Sequence, residues 1–190
     1  MEKTKTLPPC WTNSLAQTVN RLREKRPFRL AVLGVGHELR GDDAAGLAVA
    51  RGLRPFANEQ FLVVEAGHAP ENHTATVRRF APTLVLLVDA AQMDEPPGTV
   101  RWLAPADITG ISASSHTLPL HMLARFLQAD LGCEVALLGI QPADTSLGAP
   151  LSERVETAVS AVIQALTACW QENFGTQISL ISPDSDAFGG

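Results

Sequence analysis

The chain has 190 residues, of which 45% are hydrophobic and 18% charged, and its formal net charge is −5. This composition is typical of about one globular domain and argues against a mostly disordered chain. The acidic balance argues against a protein that binds nucleic acid or an anionic membrane.

The chain contains three cysteines and no CxxC spacing, which predicts neither a zinc cluster nor a disulfide framework. The amino terminus lacks a signal-peptide core, and no apolar run approaches the roughly 18 residues that span a bilayer. We therefore expect a cytoplasmic protein without a membrane-inserted segment.

The first 28 residues are predicted to be an extension of an α/β domain that spans residues 29–174, and residues 175–190 form a polar tail. Apolar residues at helical spacing predict a short helix in this extension: Leu15, Val19 and Leu22. Its predicted cap is Asn13 or Ser14.

Strand and helix patterns alternate through the body of the chain. In chain order they are strand RLAVLGV, helix DAAGLAVARGL, strand FLVVEAG, helix ENHTATVRRF, strand TLVLLVDAA, strand TVRWLAP, helix LPLHMLARFLQAD, strand EVALLGI and helix SERVETAVSAVIQALTACW. Ser152 is the predicted cap of the last helix. The alternation predicts an α/β fold, a three-layer sandwich in which helices cover both faces of a mostly parallel sheet.

Polar residues follow three of the predicted elements, at the sheet edge where ligands of such folds bind. The pair Asp42 and Asp43 stands at the start of the first helix of the domain, Asp89 follows the run LVLLV, and His116 lies in a loop. Each has a structural explanation: helix capping for the aspartate pair, loop anchoring for Asp89, and solvation for His116.

Considered together, Asp43, Asp89 and His116 suggest a metal site. If the strands are parallel, the three residues converge on one edge of the sheet. Two carboxylates and an imidazole form an incomplete ligand set that accepts a divalent transition metal, and imidazole suits zinc, copper, iron and nickel. Alternatively, Asp43 and Asp89 approach the geometry of an aspartic-protease dyad.

A nucleotide site is the competing interpretation of the glycine loop. The segment GVGHEL begins like the fingerprint GxGxxG, and Glu65 ends the second strand, where that fold places its ribose-binding acid. However, Leu39 occupies the third glycine position. Asp42 and Asp43 also bring negative charge to the helix start that would receive a pyrophosphate.

Several motifs together resemble the hydrogenase maturation endopeptidases, which trim the C-terminus of the large subunit of [NiFe]-hydrogenases. They are VLGVGHELRGDDAAG (Val32–Gly46), LLVDAAQMDEPPGTVRWL (Leu86–Leu103) and SSHTLPL (Ser114–Leu120). Two further segments are similar to the formate-hydrogenlyase-type branch: AGHAPEN (Ala66–Asn72) and LLGIQP (Leu137–Pro142). The resemblance covers about residues 29 to 172.

The resemblance implies a five-stranded twisted sheet flanked by helices. It also implies that Asp43, rather than Asp42, acts with Asp89 and His116 as the metal-contacting, catalytic set. The metal would be nickel already inserted into the precursor large subunit and borrowed as the recognition signal, although other divalent metals can occupy such a site. The protease, expected to be a monomer, would then cut just past the last metal-binding motif of the precursor.

The chain departs from the family pattern at two positions beside this site. His37 stands where the family usually has Asn, and Ala44 where it usually has Gly. His37 could add a ligand or reshape the loop, and Ala44 would be strained if its φ were positive. These departures motivate an alternative function, a metal- or nucleotide-binding chaperone that recognises the precursor without cutting it.

Overall fold

The structure, a computed structural model, describes residues 10–24, 27–107 and 119–174. Its strands are β1 (Leu30–Val35), β2 (Phe61–Gly67), β3 (Leu84–Ala90), β4 (Val100–Leu103) and β5 (Glu134–Ile140). Its helices are α1 (Cys10–Arg23), α2 (Ala45–Leu53), α3 (Thr74–Phe80), α4 (Leu120–Leu131) and α5 (Glu153–Phe174). All predicted strands and helices of the domain are therefore present.

The strands form one five-stranded sheet in the order β2-β1-β3-β5-β4. The pairs β1–β2, β1–β3 and β3–β5 are parallel, whereas β4 lies antiparallel to β5 at the edge. This architecture confirms the predicted α/β fold and its mostly parallel sheet. Because three of the four pairings are parallel, most strands end at the same edge of the sheet.

The three inner strands have near-continuous apolar sequences because the sheet is buried on both faces. Alternate residues of β1, β3 and β5 enter two separate cores. Leu86 and Leu138 lie in the core that contains residues of α1, α2 and α5, whereas Leu87 and Leu137 lie in the core that contains residues of α3 and α4. Helices thus cover both faces, as the three-layer prediction requires.

Helix α1 belongs to the same core as α2 and α5. Its buried apolar residues are Trp11, Leu15, Val19 and Leu22. The prediction of a cap at Asn13 or Ser14 is wrong, because the helix begins earlier, at Cys10. The earlier start brings Trp11 onto the apolar face formed by the other three residues. The domain boundaries at residues 28 and 174 stay predictions.

Of two other helix starts, one differs from the sequence pattern and one agrees with it. A 3-10 turn over Pro70–His73 precedes α3, so only the second part of the segment ENHTATVRRF is α-helical. Ser152 does precede α5 directly, and its carbonyl accepts a hydrogen bond from the Glu156 N–H at 2.9 Å.

Within the described ranges, no helix combines the length and apolar character needed to cross a membrane.

Truncation of Leu87 to alanine is expected to lower the free energy of unfolding by about 2–5 kcal/mol, because the site is fully buried between neighbouring strands and cannot collapse freely. Urea-induced unfolding followed by circular dichroism measures this change. The matched control is Leu147→Ala, because that leucine is 77% exposed and its loss should change stability by less than about 0.5 kcal/mol. Equal effects at the two positions would contradict the β3 assignment.

Candidate functional site

The candidate site lies at the edge of the sheet where the parallel strands end. A 3-10 turn, Gly41–Ala44, follows the loop after β1 and leads into α2. This turn contains Asp42 and Asp43 and contacts β3, which carries Asp89 near its end. All three aspartates are buried. The structure therefore brings Asp43 and Asp89 to one edge of the sheet, as predicted.

Two glycines allow the turn and α2 to lie directly against the strand ends. Gly36 has φ +132°, and a Cβ atom there would lie 1.7 Å from the carbonyl oxygen of Asp43. At Gly46, a Cβ atom would lie 2.1 Å from the carbonyl oxygen of Val88, the residue before Asp89. Any side chain at these positions would displace the Asp43 backbone or α2 from the sheet.

Asp89 is positioned by its strand, and the loop that follows the strand is fixed by a buried side chain. It pairs in register with Gly139 of β5. Strand alternation places Asp89 on the same side of the sheet as Leu87, the side covered by α3 and α4. Gln141, the residue after β5, fixes this loop: its buried side chain accepts a hydrogen bond from the Met93 N–H at 2.7 Å and donates one to Gln92 Oε1 at 2.6 Å.

Asp42 has a structural role that sequence reasoning missed. Its Oδ2 accepts hydrogen bonds from the Ala143 N–H at 2.7 Å, the Asp144 N–H at 3.0 Å and the Ser152 hydroxyl at 2.9 Å. Its Oδ1 accepts one from the Ser152 N–H at 2.7 Å. This fully buried carboxylate thus ties the turn before α2 to the segment before α5. The adjacent pair of aspartates was the only sequence signal, and it did not identify the partners.

The helix-capping interpretation of the aspartate pair is wrong. Ala44 is the N-cap of α2, and no side-chain hydrogen bond caps that helix. Oδ2 of Asp43 instead accepts a hydrogen bond from the His37 N–H at 2.8 Å, within its own loop. The two neighbouring carboxylates therefore differ in role, because Asp42 joins distant segments and Asp43 remains at the strand-end site.

Glu65 forms ion pairs with arginine side chains and is not free to bind a ribose hydroxyl. Arg51 Nε donates a hydrogen bond to Glu65 Oε2 at 2.8 Å, and Arg51 Nη2 donates one to Glu38 Oε1 at 2.7 Å. The hydrogen bonds with Glu65 and Glu38 raise the pKa of Arg51. A second arginine also faces this carboxylate, with Arg54 Nη1 3.7 Å from Glu65 Oε1. With two buried aspartates in the turn before α2, this arrangement weighs against the nucleotide hypothesis.

His116 lies outside the described residues, so the three-ligand set stays a prediction. Among the residues that are described, no group of three or more His, Cys, Asp and Glu side chains is arranged to hold a metal ion. In the sequence, His116 lies shortly before α4, which begins at Leu120.

Comparison with known proteins identifies the family. The family model HycI, described as hydrogenase maturation protease, matches residues 48–169. The chain belongs to the hydrogenase maturation protease family. It is 36% identical over 145 residues to the Hydrogenase 3 maturation protease of Escherichia coli K12, a match that covers 76% of this chain and 92% of that protein.

Two solved structures of maturation proteases share the fold. The crystal structure of a [NiFe] hydrogenase maturation protease HycI from Thermococcus kodakarensis KOD1 matches with a TM-score of 0.74 and 26% identity, over 83% of this chain and 99% of that one. The solution structure of an endopeptidase HycI from Escherichia coli matches with a TM-score of 0.68 and 34% identity, over 76% and 92%. The similarity to HycI proteins confirms the predicted branch.

The departure of this maturation protease at Ala44 is accommodated by the backbone. Ala44 has φ −79° and ψ −1°, within the right-handed helical region that any L-residue adopts. The alternative of a strained left-handed conformation is therefore wrong. The chain can use alanine here because the tight turn has already become helical.

The departure at His37 stabilises the loop of this maturation protease. His37 Nδ1 accepts a hydrogen bond from the Leu39 N–H at 3.2 Å, the two-residue link that an asparagine side chain makes in an Asx turn. A metal-bound histidine instead donates its second N–H to an acceptor. In this conformation His37 is therefore unsuited to be an additional metal ligand.

Proposed function

We propose that this protease removes the C-terminal extension of a [NiFe]-hydrogenase large-subunit precursor after nickel insertion, with Asp43, Asp89 and His116 recognising the precursor's nickel. The observation that carries the proposal is the placement of two buried carboxylates, Asp43 and Asp89, at one edge of the sheet. Buried negative charge in a low-dielectric site favours a divalent cation.

The position of His116 in the sequence supports its part in the set. Asp89 lies on the side of the sheet covered by α4, and His116 belongs to the segment that leads into that helix. An imidazole there would add a nitrogen ligand to two oxygen ligands. Such a set leaves coordination positions open for the precursor's own ligands. The protease could therefore bind the nickel while the precursor retains it.

The same carboxylates account for hydrolysis in one of two ways. Nickel bound between enzyme and precursor would polarise the scissile carbonyl or lower the pKa of a coordinated water toward about 7. Alternatively, nickel only positions the precursor while Asp43 or Asp89 removes a proton from water, which would make the enzyme an aspartic-type endopeptidase.

We further propose that the enzyme is a cytoplasmic monomer. Cys133 and Cys169 are free thiols in the structure, which fits a reducing compartment. Burial raises the pKa of the Cys169 thiol, which lowers its reactivity toward oxidants.

The test is incubation of the purified protease with nickel-loaded and nickel-free forms of the precursor, followed by intact-mass measurement. We expect a truncated large subunit from the nickel-loaded form alone, because only that form completes the metal site. Equal cleavage of both forms would refute nickel as the signal. Tight binding of the nickel-loaded form without cleavage would favour the chaperone alternative, and affinity for NAD or ATP in calorimetry would favour its nucleotide version.

A further inference from the structure

The buried amide of Gln141 binds the loop that follows β3 at several points. Its Oε1 accepts hydrogen bonds from the Met93 N–H at 2.7 Å and from the Glu95 N–H at 3.4 Å. Its Nε2 donates a hydrogen bond to Gln92 Oε1 at 2.6 Å. We call residues 92–95 the β3 loop. A single side chain at the end of β5 therefore binds most of the β3 loop.

The β3 loop has a backbone conformation that requires this support. Asp94 has φ +55°, in the left-handed region that residues other than glycine seldom adopt. The two N–H groups that donate to Gln141 Oε1 belong to the residues directly before and after Asp94. The Glu95 side chain is bound in turn by Arg101 of β4. Side chains from two neighbouring parts of the sheet thus hold the loop in this conformation.

The β3 loop places the Met93 side chain beside Asp89. Asp89 pairs in register with Gly139, so these two residues are about 5 Å apart and face the same side of the sheet. A Cβ atom at Gly139 would lie 3.1 Å from Met93 Sδ and 3.3 Å from Leu103 Cδ1. Leu103 packs against the core that contains residues of α3 and α4. Met93 therefore fills the space over Gly139, on the same side of the sheet as Asp89.

We propose that Gln141 is a positioning residue for Asp89 and that it acts through Met93. Its hydrogen bonds keep the Met93 side chain over Gly139, where this side chain excludes water from one side of Asp89 and limits the orientations of the carboxylate. This inference rests on the proposed function, which assigns Asp89 its role. Small displacements of reacting groups slow the chemical step, so loss of this support should lower kcat and leave KM nearly unchanged.

The experiment is a double-mutant cycle in the full chain, assayed on nickel-loaded precursor with Gln141→Met, Met93→Ala and the combined variant. Gln141→Met keeps side-chain length and removes the hydrogen bonds, whereas Met93→Ala removes the apolar side chain and leaves the hydrogen bonds in place. We expect each change to lower kcat by about 10–10²-fold. Because both changes disrupt the same contact, the combined variant should be no slower than the slower single variant.

Two further variants separate positioning from stability. Gln164→Met makes the same chemical change at an exposed position of α5 and should have wild-type kinetics. Met93→Leu keeps an apolar side chain of similar volume and should restore most of the kcat that Met93→Ala loses. Each variant is assayed well below its unfolding midpoint, so that a lower kcat cannot result from unfolded enzyme.

Specific outcomes would overturn the proposal. An unchanged kcat in Gln141→Met or in Met93→Ala, while wild type cuts normally, refutes the positioning role and leaves the proposed function intact. Effects that multiply in the combined variant refute the route through Met93. If Gln141→Met does not fold, the two Met93 variants decide, since the alanine form must lose kcat and the leucine form must regain it. Failure of the wild type to cut would instead refute the proposed function.

Discussion

Replacement of both Asp43 and Asp89 by alanine is expected to leave the nickel-loaded precursor uncut. These two carboxylates are buried at the strand-end site, where the proposal assigns them metal contact and the handling of a proton. Single Asp→Asn forms keep the shape and remove the charge, and each should lower kcat/KM by about 10²–10⁴-fold. Mass spectrometry of timed reactions measures the loss.

The matched control for these variants is Asp130→Asn. Asp130 pairs with Arg78 at 2.8 Å near the end of α4, so the same chemical change removes a surface ion pair far along that helix from its start. Its processing rate should equal that of wild type, since exposed ion pairs contribute little. Normal processing by the double alanine variant would refute the assigned site.

Asp42→Asn is expected to destabilise the protein strongly. The carboxylate accepts three hydrogen bonds on Oδ2 and one on Oδ1, and all its partners donate. An asparagine in either orientation must turn its NH2 group toward at least one N–H donor. We expect the free energy of unfolding to fall by about 3–5 kcal/mol, because charged hydrogen bonds are lost and buried donors are left unsatisfied.

Urea denaturation measures this loss, and Asp144→Asn is the control. The Asp144 carboxylate is exposed, and the hydrogen bonds it accepts from Ser146 lower its pKa without joining distant segments. Asp144→Asn should therefore unfold at nearly the wild-type urea concentration. If Asp42→Asn also unfolded at nearly the wild-type urea concentration, the hydrogen bonds of the Asp42 carboxylate would not be what holds the two loops together.

The sheet could be predicted from the sequence because its inner strands are buried on both faces. A run such as LVLLV has few explanations other than a buried strand, and alternation with helical patterns then implies parallel pairing. The convergence of Asp43 and Asp89 followed from that topology alone. The antiparallel direction of β4 did not follow from it, because β4 comes after β3 without the intervening helix that a parallel crossover normally contains.

The remaining features depend on contacts that sequence spacing does not encode. The partners of Asp42 are mainly backbone N–H groups more than a hundred residues away, and backbone groups leave no trace in side-chain patterns. Capping preferences alone predict that α1 begins after Asn13 or Ser14. The helix instead begins at Cys10, and Trp11 in its first turn is buried. The loop function of His37 became visible only with its bond to the Leu39 N–H.

The hydrogen bonds of Asp42 also constrain the order in which parts of the site can be secured during synthesis. The turn that carries Asp43 is secured by Ser152, the residue that precedes α5. While a ribosome is still translating the segment before Ser152, the nascent chain contains both aspartates but lacks the clamp on their turn. These hydrogen bonds therefore cannot form before Ser152 has been synthesised and has reached the turn.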